Sequence, residues 1–386
     1  MYSETLVKGL VNQELRLRFF DLYTIIKSDS SEFIDLFASM YRRFLADGSS
    51  STVRSTAEFV LITNPDNQWG KPVIILNDEV CPLSDSRLLE GYAYETILSS
   101  IITRIHSHLL IHAGVVSRND QGIILVADAR HGKTTLVLEL IRRGFSFLSD
   151  EMAAMGRTDH LVHPFPRSLR VRPGTLELVG FPDAAEGAPT WLGKLILDIE
   201  EIKHGCLGKA VPISHIVILQ DPANAEVEMA DRRKQELCIL VNRLDDTLFA
   251  AVSQDEGVTD VRVDVECGYP QIKLHAIRST FVLSRIEALC KERQILVLDV
   301  IKGIEGSPTF ESTAKLKSIL QIQAVSELLR RFQGGYKSEL LQDEFGGSST
   351  QLFMEIASIV SQAKCHRLFV GPLKEMADLV CNMSGM

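Results

Sequence analysis

The hydrophobic pattern of the N-terminal part of the chain mixes strand and helix signals. Glu14 to Phe20 alternates in part between polar and apolar residues and predicts a strand, whereas apolar residues at helical spacing predict a helix from Ser31 to Leu45. Two short apolar runs, Glu58 to Thr63 and Pro72 to Leu76, predict strands around a segment rich in turn-forming residues. We interpret residues 1–88 as a small α/β module, for which binding of a substrate or a partner is one role to consider.

A more regular succession of elements begins near residue 89. The predicted elements are a helix from Leu89 to Ser107, a buried strand from Leu109 to Val116, a hairpin turn from Arg118 to Gly122, a strand from Ile123 to Val126, a helix from Thr134 to Arg143 and a strand from Phe145 to Leu148. We expect Gly144 to cap the second helix, because glycine adopts the left-handed backbone that ends many helices. This order predicts an α/β core over residues 89–220.

The pattern is weaker in the rest of the chain, which we interpret as an α/β C-terminal region. The clearest signals are strands from Ile213 to Leu219, Ile295 to Val300 and His366 to Val370, and helices from Ser318 to Phe332, Gln351 to Ala363 and Leu373 to Leu379. Residues 221–310 carry few motif-like features, and we treat them as an insertion or subdomain of unknown role. Residues 311–386 are expected to complete the core.

The chemical motif of the chain lies between the apolar strand and the helix of the core. The pattern of a phosphate-binding P-loop, G-x-x-x-x-G-K-[ST], is met here from Ala127 to Thr134 in all but its first position. Gly132 allows close backbone approach, Lys133 places a cation on the β- and γ-phosphates, and Thr134 offers a hydroxyl to Mg²⁺. The candidate nucleotide-binding residues are Ala127, Asp128, Ala129, Arg130, His131, Gly132, Lys133, Thr134 and Thr135.

Ala127 stands where the P-loop pattern has its first glycine. If that position requires a positive φ, the alanine costs about 1 kcal/mol, which weakens binding without forbidding the loop. Arg130 in the middle of the loop offers a further phosphate contact. The alternative is that the sequence from His131 to Thr135 occurs by chance at a helix start; the flanking strand and helix favour the P-loop.

Other candidate residues each leave an alternative open. Asp150 and Glu151 follow the third strand of the core, where carboxylates bind Mg²⁺ or act as a base in phosphoryl transfer; the alternative is that they cap a following helix. His112 lies in an apolar strand, where a histidine bonded to backbone is the alternative to a catalytic one. Arg167 and Arg170 would clamp a phosphate or lie in a solvated loop.

Composition narrows the class of protein. The chain has 386 residues, enough for two or three domains, and a net charge of −9, which argues against a general nucleic-acid binder. Its seven cysteines form no CxxC pair and predict neither a zinc site nor a disulfide framework. Without a signal-peptide pattern or an apolar run of spanning length, we expect a cytoplasmic protein with no membrane partner.

These motifs resemble the HPr kinase/phosphorylase family and the related HPr-kinase-like serine kinases. The resemblance rests on four segments in the family's order: His112 to Val116, Ala127 to Thr134, Leu138 to Gly144 and Leu148 to Glu151. It covers about residues 109–180 well and is fainter over 210–220 and 313–381. The resemblance implies a P-loop kinase core that uses ATP and Mg²⁺, and allows a homo-oligomer.

The resemblance also implies roles for individual residues. Lys133 would bind phosphate, Thr134 would bind Mg²⁺ with Asp150 as a second candidate ligand, Glu151 would act as the base on a serine-like hydroxyl, and His112 would lie beside it. Glu151 stands where the family has aspartate. The later glycine-rich signature of the family, with its metal-binding glutamate and its arginine for phosphorolysis, is not found, which argues against phosphorolysis and against HPr as the substrate.

Two functions follow from these observations. The first is an ATP-dependent kinase that transfers the γ-phosphoryl group to a hydroxyl on a peptide, a protein or a small molecule. The second is a weak or inactive nucleotide-binding protein that acts as a regulatory or maturation partner, favoured by Ala127, by Glu151 in place of aspartate and by the missing signature. An NTPase or a nucleotidyl-transferring enzyme on the same loop is a third interpretation that no residue selects.

Overall fold

The computed structural model describes residues 9–46, 54–76, 79–82, 89–128, 131–191, 194–222, 234–241, 243–266, 269–277, 279–293, 295, 297–303, 310–333 and 349–384. These residues form helices and several β-sheets, which confirms the predicted mixed α/β class. The described part of the chain contains no helix that is long and apolar enough to cross a membrane.

The N-terminal part contains a five-stranded sheet in the order β1-β2-β3-β4-β5. Its elements are β1 (Gln13–Phe19), β2 (Leu22–Ser28), helix α1 (Ser31–Met40), a 3-10 turn (Arg42–Phe44), β3 (Ser55–Ile62), β4 (Val73–Leu76) and β5 (Glu79–Pro82). Helix α1 begins where the Ser30 hydroxyl accepts a hydrogen bond from the Phe33 N–H at 3.1 Å. The helix ends at Met40, earlier than predicted, and the 3-10 turn still buries Phe44.

The hydrophobic core of this sheet continues into the next part of the chain. Side chains of α1 pack in one cluster with helix α2 (Leu89–Arg104) and with residues beyond it, namely Leu110, Met152, Phe165 and Ile196. The N-terminal sheet is therefore fixed to the region of the P-loop by buried apolar contacts. The boundary at residue 88 stays a prediction.

The central sheet has six strands, which lie in the order β20 (Lys315–Ser318), β21 (Lys364–Phe369), β15 (Ile213–Gln220), β8 (Gln121–Val126), β7 (Gly114–Arg118) and β9 (Ser146–Ser149). The strands that follow α2 are β6 (His108–His112), β7 (Gly114–Arg118), β8 (Gln121–Val126), β9 (Ser146–Ser149) and β10 (Met152–Gly156), with helix α3 (Lys133–Arg142) between β8 and β9. Strand β8 is parallel to β15 and antiparallel to β7. The predicted hairpin between β7 and β8 is confirmed, with positive φ at Asn119 and Asp120.

A group of short elements follows β10. They are β11 (Val162–His163), β12 (Leu169–Val171), α4 (Pro173–Leu178), a 3-10 turn (Pro182–Ala185), β13 (Thr190–Trp191), β14 (Lys194–Leu197) and α5 (Ile199–Ile202). Strands β11, β10 and β6 form one small sheet, and β12, β14 and β13 form another. The residues between β11 and β12 pass next to the break between β9 and β10, because the Phe165 N–H donates to the Leu148 carbonyl at 2.9 Å.

Residues 234–303 contain a four-stranded antiparallel sheet with its own hydrophobic core. Its elements, after β15 (Ile213–Gln220) of the central sheet, are β16 (Lys234–Val241), α6 (Asp246–Ser253), β17 (Val258–Glu266), β18 (Tyr269–Ile277), α7 (Ser279–Glu292) and β19 (Val297–Gly303). Apolar residues of both helices pack on one face of this sheet. The boundaries 221–310 stay a prediction.

The C-terminal elements cover both faces of the central sheet. They are β20 (Lys315–Ser318), α8 (Gln321–Arg330), α9 (Ser349–Ser361), β21 (Lys364–Phe369) and α10 (Leu373–Met383). Helices α3 and α10 pack on one face, and α8 and α9 pack on the other. The last four residues of β8 are all apolar because their side chains alternate between these two cores, Ile123 and Leu125 on one side and Ile124 and Val126 on the other.

One predicted element is wrong. The run from Leu109 to Val116 is not a single strand, because the chain leaves one sheet at Ala113 and enters another: β6 pairs with β10, and β7 pairs with β8 and β9. Both halves are buried and therefore apolar, so the hydrophobic pattern shows no break. The structural reason for the crossing is that β9 and β10 break at the same level, at Asp150 and Glu151.

Candidate active site

The predicted P-loop, residues 127–135, follows the carboxyl end of β8, on the edge where parallel strands of α/β sheets commonly bind ligands. Gly132 has a φ of 78° and directly precedes α3, so the first-turn N–H groups of this helix point toward the loop. Ala127 is buried, and its backbone is not among those with positive φ. The expected strain from alanine at this position is therefore absent. Ala129 and Arg130 lie outside the described residues.

The rest of the loop and the start of the helix follow the predicted arrangement. The His131 N–H donates to the Asp128 carbonyl at 3.3 Å, and the Leu136 N–H donates to the Gly132 carbonyl at 2.8 Å. The His131 residue is buried, and Thr135 lies in the first turn of α3 and is partly exposed. Helix α3 starts one residue earlier than predicted and ends as expected before Gly144, whose φ is 93°.

Lys133 and His112 form a contact at the centre of the site. The Lys133 Nζ and the His112 Nε2 lie 3.0 Å apart, and the His112 Nδ1 lies 3.6 Å from a carboxylate oxygen of Glu151. Burial lowers the pKa of His112 to about 4, and the Lys133 charge acts in the same direction. The imidazole is therefore neutral at pH 7 and its Nε2 accepts a hydrogen bond from the ammonium group. The alternative of a histidine held only by backbone contacts is wrong.

The two strand breaks bring the acidic pair to the same place. The Ala113 N–H donates to the Glu151 carbonyl at 3.1 Å, which joins the break after β6 to the break before β10. Gly114 lies beneath the helix, where a Cβ would be 2.9 Å from a methyl group of Val137 and 3.4 Å from Lys133 Cγ. A close approach of this kind excludes larger side chains. The helix-capping alternative for Asp150 and Glu151 is wrong, because a strand follows them.

Asp150 and Thr134, the two predicted Mg²⁺ ligands, lie next to each other. The Thr134 hydroxyl lies 3.5 Å from Asp150 Oδ2, and the buried Asp150 Oδ1 has no hydrogen-bond partner among the described residues. Burial raises the pKa of Asp150, and the neighbouring Glu151 charge raises it further, so a cation here would stabilise the ionised form. Within the described residues no group of three or more His, Cys, Asp or Glu could hold a metal ion alone. Mg²⁺ commonly binds through one or two carboxylates together with substrate phosphates.

Glu151 lies between two cationic side chains and the histidine. Its Oε2 is 2.9 Å from Nη2 of Arg167, a residue whose side chain is 3% exposed. Burial by itself would raise the pKa of Glu151, but the positive charge of Arg167 above all, together with that of Lys133, holds this pKa well below its ordinary value. Glu151 is thus an anion at neutral pH and can accept a hydrogen bond from a hydroxyl group.

Arg167 is not a solvated loop residue, so that alternative is wrong. The segment that carries it is held to the end of α1: the Ser168 N–H donates to the Met40 carbonyl at 2.8 Å, and the Ser168 hydroxyl donates to the Ser39 carbonyl at 2.6 Å. Burial raises the pKa of Tyr41, and the positive charge of Arg167 opposes this rise. Arg170 points elsewhere, over the Trp191 ring at 5.4 Å.

A further arginine at the site was not predicted. Arg331 follows α8 and its Nη2 lies 2.5 Å from the carboxylate of Asp128 in the P-loop. Its carbonyl accepts a hydrogen bond from the His112 N–H at 2.8 Å. The sequence offers no signal for this contact, because 203 positions separate the two partners.

The roles of the nine loop residues, of the acidic pair and of His112 stay predictions.

Comparisons with known proteins add little to this geometry. No protein-family model matches the sequence, and a search of curated proteins gives no match. Among solved structures, the chain is similar to the Hpr(Ser) kinase/phosphatase from Coxiella burnetii, with 16% identity over 48% of this chain and 90% of that chain and a TM-score of 0.21. A TM-score below 0.5 does not establish a shared fold.

Proposed function

We propose that the chain is a P-loop kinase that binds Mg²⁺-ATP at residues 127–135, on an HPr-kinase-like core, and phosphorylates a hydroxyl group of a peptide, a protein or a small molecule. The observation that supports this best is the meeting of Lys133, Glu151 and the Thr134–Asp150 pair beside one loop. An NTP-binding loop alone needs neither a carboxylate base nor a histidine next to its lysine.

Different side chains of the site would bind the phosphates, hold Mg²⁺ and act as the base. Lys133 binds the β- and γ-phosphates, and His112 holds its ammonium group in place through the 3.0 Å contact. Thr134 and Asp150 would hold Mg²⁺, which supplies charge neutralisation on the phosphate oxygens. Glu151 accepts the proton of the acceptor hydroxyl as its oxygen forms a bond to the γ-phosphorus. The bond between the γ-phosphorus and the bridging oxygen breaks, and its electron pair leaves with ADP.

The proposal is tested by measuring ATP affinity and transfer of γ-labelled phosphate to an extract that contains candidate acceptors. Lys133→Ala should weaken ATP binding by about 10- to 100-fold, because it removes charged hydrogen bonds to phosphate. Glu151→Gln should bind ATP normally and lose transfer by about 100-fold or more, because it removes the base. Lys209→Ala is the matched control, because it removes an exposed lysine that pairs with Asp120 instead.

One observation favours the second candidate, a nucleotide-binding regulatory partner. The carboxylate of Glu151 is already occupied by Arg167, which keeps it a weak base. Under this alternative, ATP binds and Lys133→Ala abolishes the binding, but no label is transferred and no ATP is turned over in any condition. That result would contradict the kinase and leave nucleotide binding intact.

A further inference from the structure

Arg331 is placed at the P-loop by two independent parts of the backbone. It ends helix α8, and the chain then pairs with β6 through the bridge between Ile111 and Phe332. The hydrogen bond from the His112 N–H to its carbonyl, at 2.8 Å, lies directly beside this bridge. Arg331 is thus fixed to the same strand end that carries His112.

The guanidinium group of Arg331 is shared between two carboxylates. Nη2 pairs with Asp128 of the loop at 2.5 Å, and Nη1 pairs with Glu327 one turn earlier in α8. The Arg331 side chain is only 12% exposed, whereas Asp128 is 54% exposed. Asp128 can therefore turn into solvent at little cost, while the arginine stays in place.

Arg331 is also close enough to the centre of the site to act on its charges. The Arg331 carbonyl accepts a hydrogen bond from the His112 N–H at 2.8 Å, and the His112 Nε2 lies 3.0 Å from the Lys133 Nζ. Lys133 and Arg331 are therefore two basic residues that both contact His112. Two neighbouring cations repel one another unless an anion lies between them.

We propose that Arg331 is a phosphate-binding residue of the nucleotide site, which exchanges its contact with Asp128 for one with the γ-phosphate of bound ATP. This inference rests on the proposed nucleotide binding and adds Arg331 to the residues that contact phosphate. A phosphate carries more charge than a carboxylate, and the planar guanidinium donates two parallel hydrogen bonds to it. The γ-phosphate is the partner because Arg331 lies on the side of His112 and Lys133, where the P-loop lysine meets the β- and γ-phosphates.

The exchange makes two predictions of opposite sign for ATP affinity, measured by titration calorimetry with Mg²⁺ present. Arg331→Gln should weaken ATP binding by about tenfold or more, because it removes a charged contact to the γ-phosphate; the effect on ADP, which lacks this phosphate, should be smaller. Asp128→Asn should tighten ATP binding by about two- to fivefold, because it removes a competing ion pair of the exposed kind. A loop that was merely loosened by the substitution would bind ATP more weakly.

Two further variants exclude simpler causes. Arg330→Gln is the matched control, because Arg330 pairs with the same Glu327 but is 57% exposed, and it should bind ATP as the wild type does. The double variant Asp128→Asn with Arg331→Gln tests whether the increase in ATP affinity depends on Arg331. If the two residues are coupled, Asp128→Asn does not increase ATP affinity in a protein that also carries Arg331→Gln. An increase of the same size with and without Arg331→Gln would mean a general charge effect and would overturn the inference.

Lys133→Ala separates this inference from the proposed function. If that variant binds ATP as tightly as the wild type, nucleotide binding at the loop is itself wrong. If Lys133→Ala loses ATP binding while Arg331→Gln keeps the wild-type affinity for it, only the role of Arg331 is wrong. Should Arg331→Gln fail to fold, Asp128→Asn alone decides: unchanged or weaker binding overturns the exchange.

Discussion

The region of the predicted P-loop and the sheet of residues 234–303 both carry many charged side chains, but these side chains lie in opposite environments. Around the loop, Asp150 and Arg167 are buried, and Glu151 and Lys133 lie against them. In the other sheet the ion pairs lie at the surface, such as Arg285 with Asp255 and Arg262 with Glu236. Buried charges are costly unless they are paired, so their concentration at one place marks that place as the candidate for chemistry.

The same comparison explains why the two regions differ in the information that their sequences carry. In the sheet of residues 234–303, exposed pairs could be exchanged for other polar residues without changing the core beneath them. At the loop, each charge depends on its neighbours, because removing one leaves another buried without a partner. The predictions below test this difference, starting from the largest effect.

Arg167→Gln should destabilise the protein by about 3 kcal/mol, because it leaves the Glu151 carboxylate without the buried partner that compensates its charge. The free energy of unfolding from urea titration measures this effect. Arg170→Gln is the matched control, since Arg170 is more exposed and lies 3.9 Å from Glu95. The double variant Arg167→Gln with Glu151→Gln should recover part of the lost unfolding free energy. Equal losses of unfolding free energy in Arg167→Gln and Arg170→Gln would contradict the distinction between buried and more exposed charges.

The stability of the wild type should fall as the pH drops from 6.5 to about 4, in part because of His108 at the start of β6. Burial lowers the pKa of His108 from 6.5 to about 4, and the neighbouring His163 acts in the same direction. Between these values the unfolded chain binds the proton and the folded chain does not, so acid favours unfolding. The contribution is on the order of 1 kcal/mol after allowance for partial exposure.

His108→Asn should therefore flatten the dependence of the unfolding free energy on pH within that window. His204→Asn is the matched control, because the His204 side chain is 96% exposed. The measurement is urea unfolding at pH 7, 5.5 and 4 for the three proteins. A wild-type slope that survives unchanged in His108→Asn would show that burial of this imidazole does not affect stability.

The smallest effect is expected in the sheet of residues 234–303. Arg285→Ala removes an ion pair with Asp255 at 2.5 Å, but the arginine side chain is 48% exposed, so the loss should be about 0.5 kcal/mol. Thermal unfolding of this variant beside Arg285→Lys measures it. A loss as large as that of Arg167→Gln would remove the distinction between the two regions.

The local pattern of the sequence predicted the elements that carry the site. The apolar run from Ile123 to Val126 lies in β8, and helix α3 begins at Gly132-Lys133-Thr134 as predicted to within one residue. Both were predictable because a buried strand and a helix start depend largely on neighbours in sequence. For the same reason the glycine after α3 was recognised as its cap. The acidic pair was placed correctly at a strand end, and the alternative that it caps a following helix is excluded by β10.

The sequence by itself therefore determined the mixed α/β class, the position of the loop and the residue types around it. Only the tertiary structure decided that the chain breaks at Ala113 beside Asp150 and Glu151, that Arg167 is buried against Glu151, and that Arg331 reaches Asp128. These facts depend on contacts between residues far apart in the chain, and the same apolar or charged residue is compatible with several such contacts. Burial and pairing, which set the charge of each group, are fixed only when the distant segments pack together.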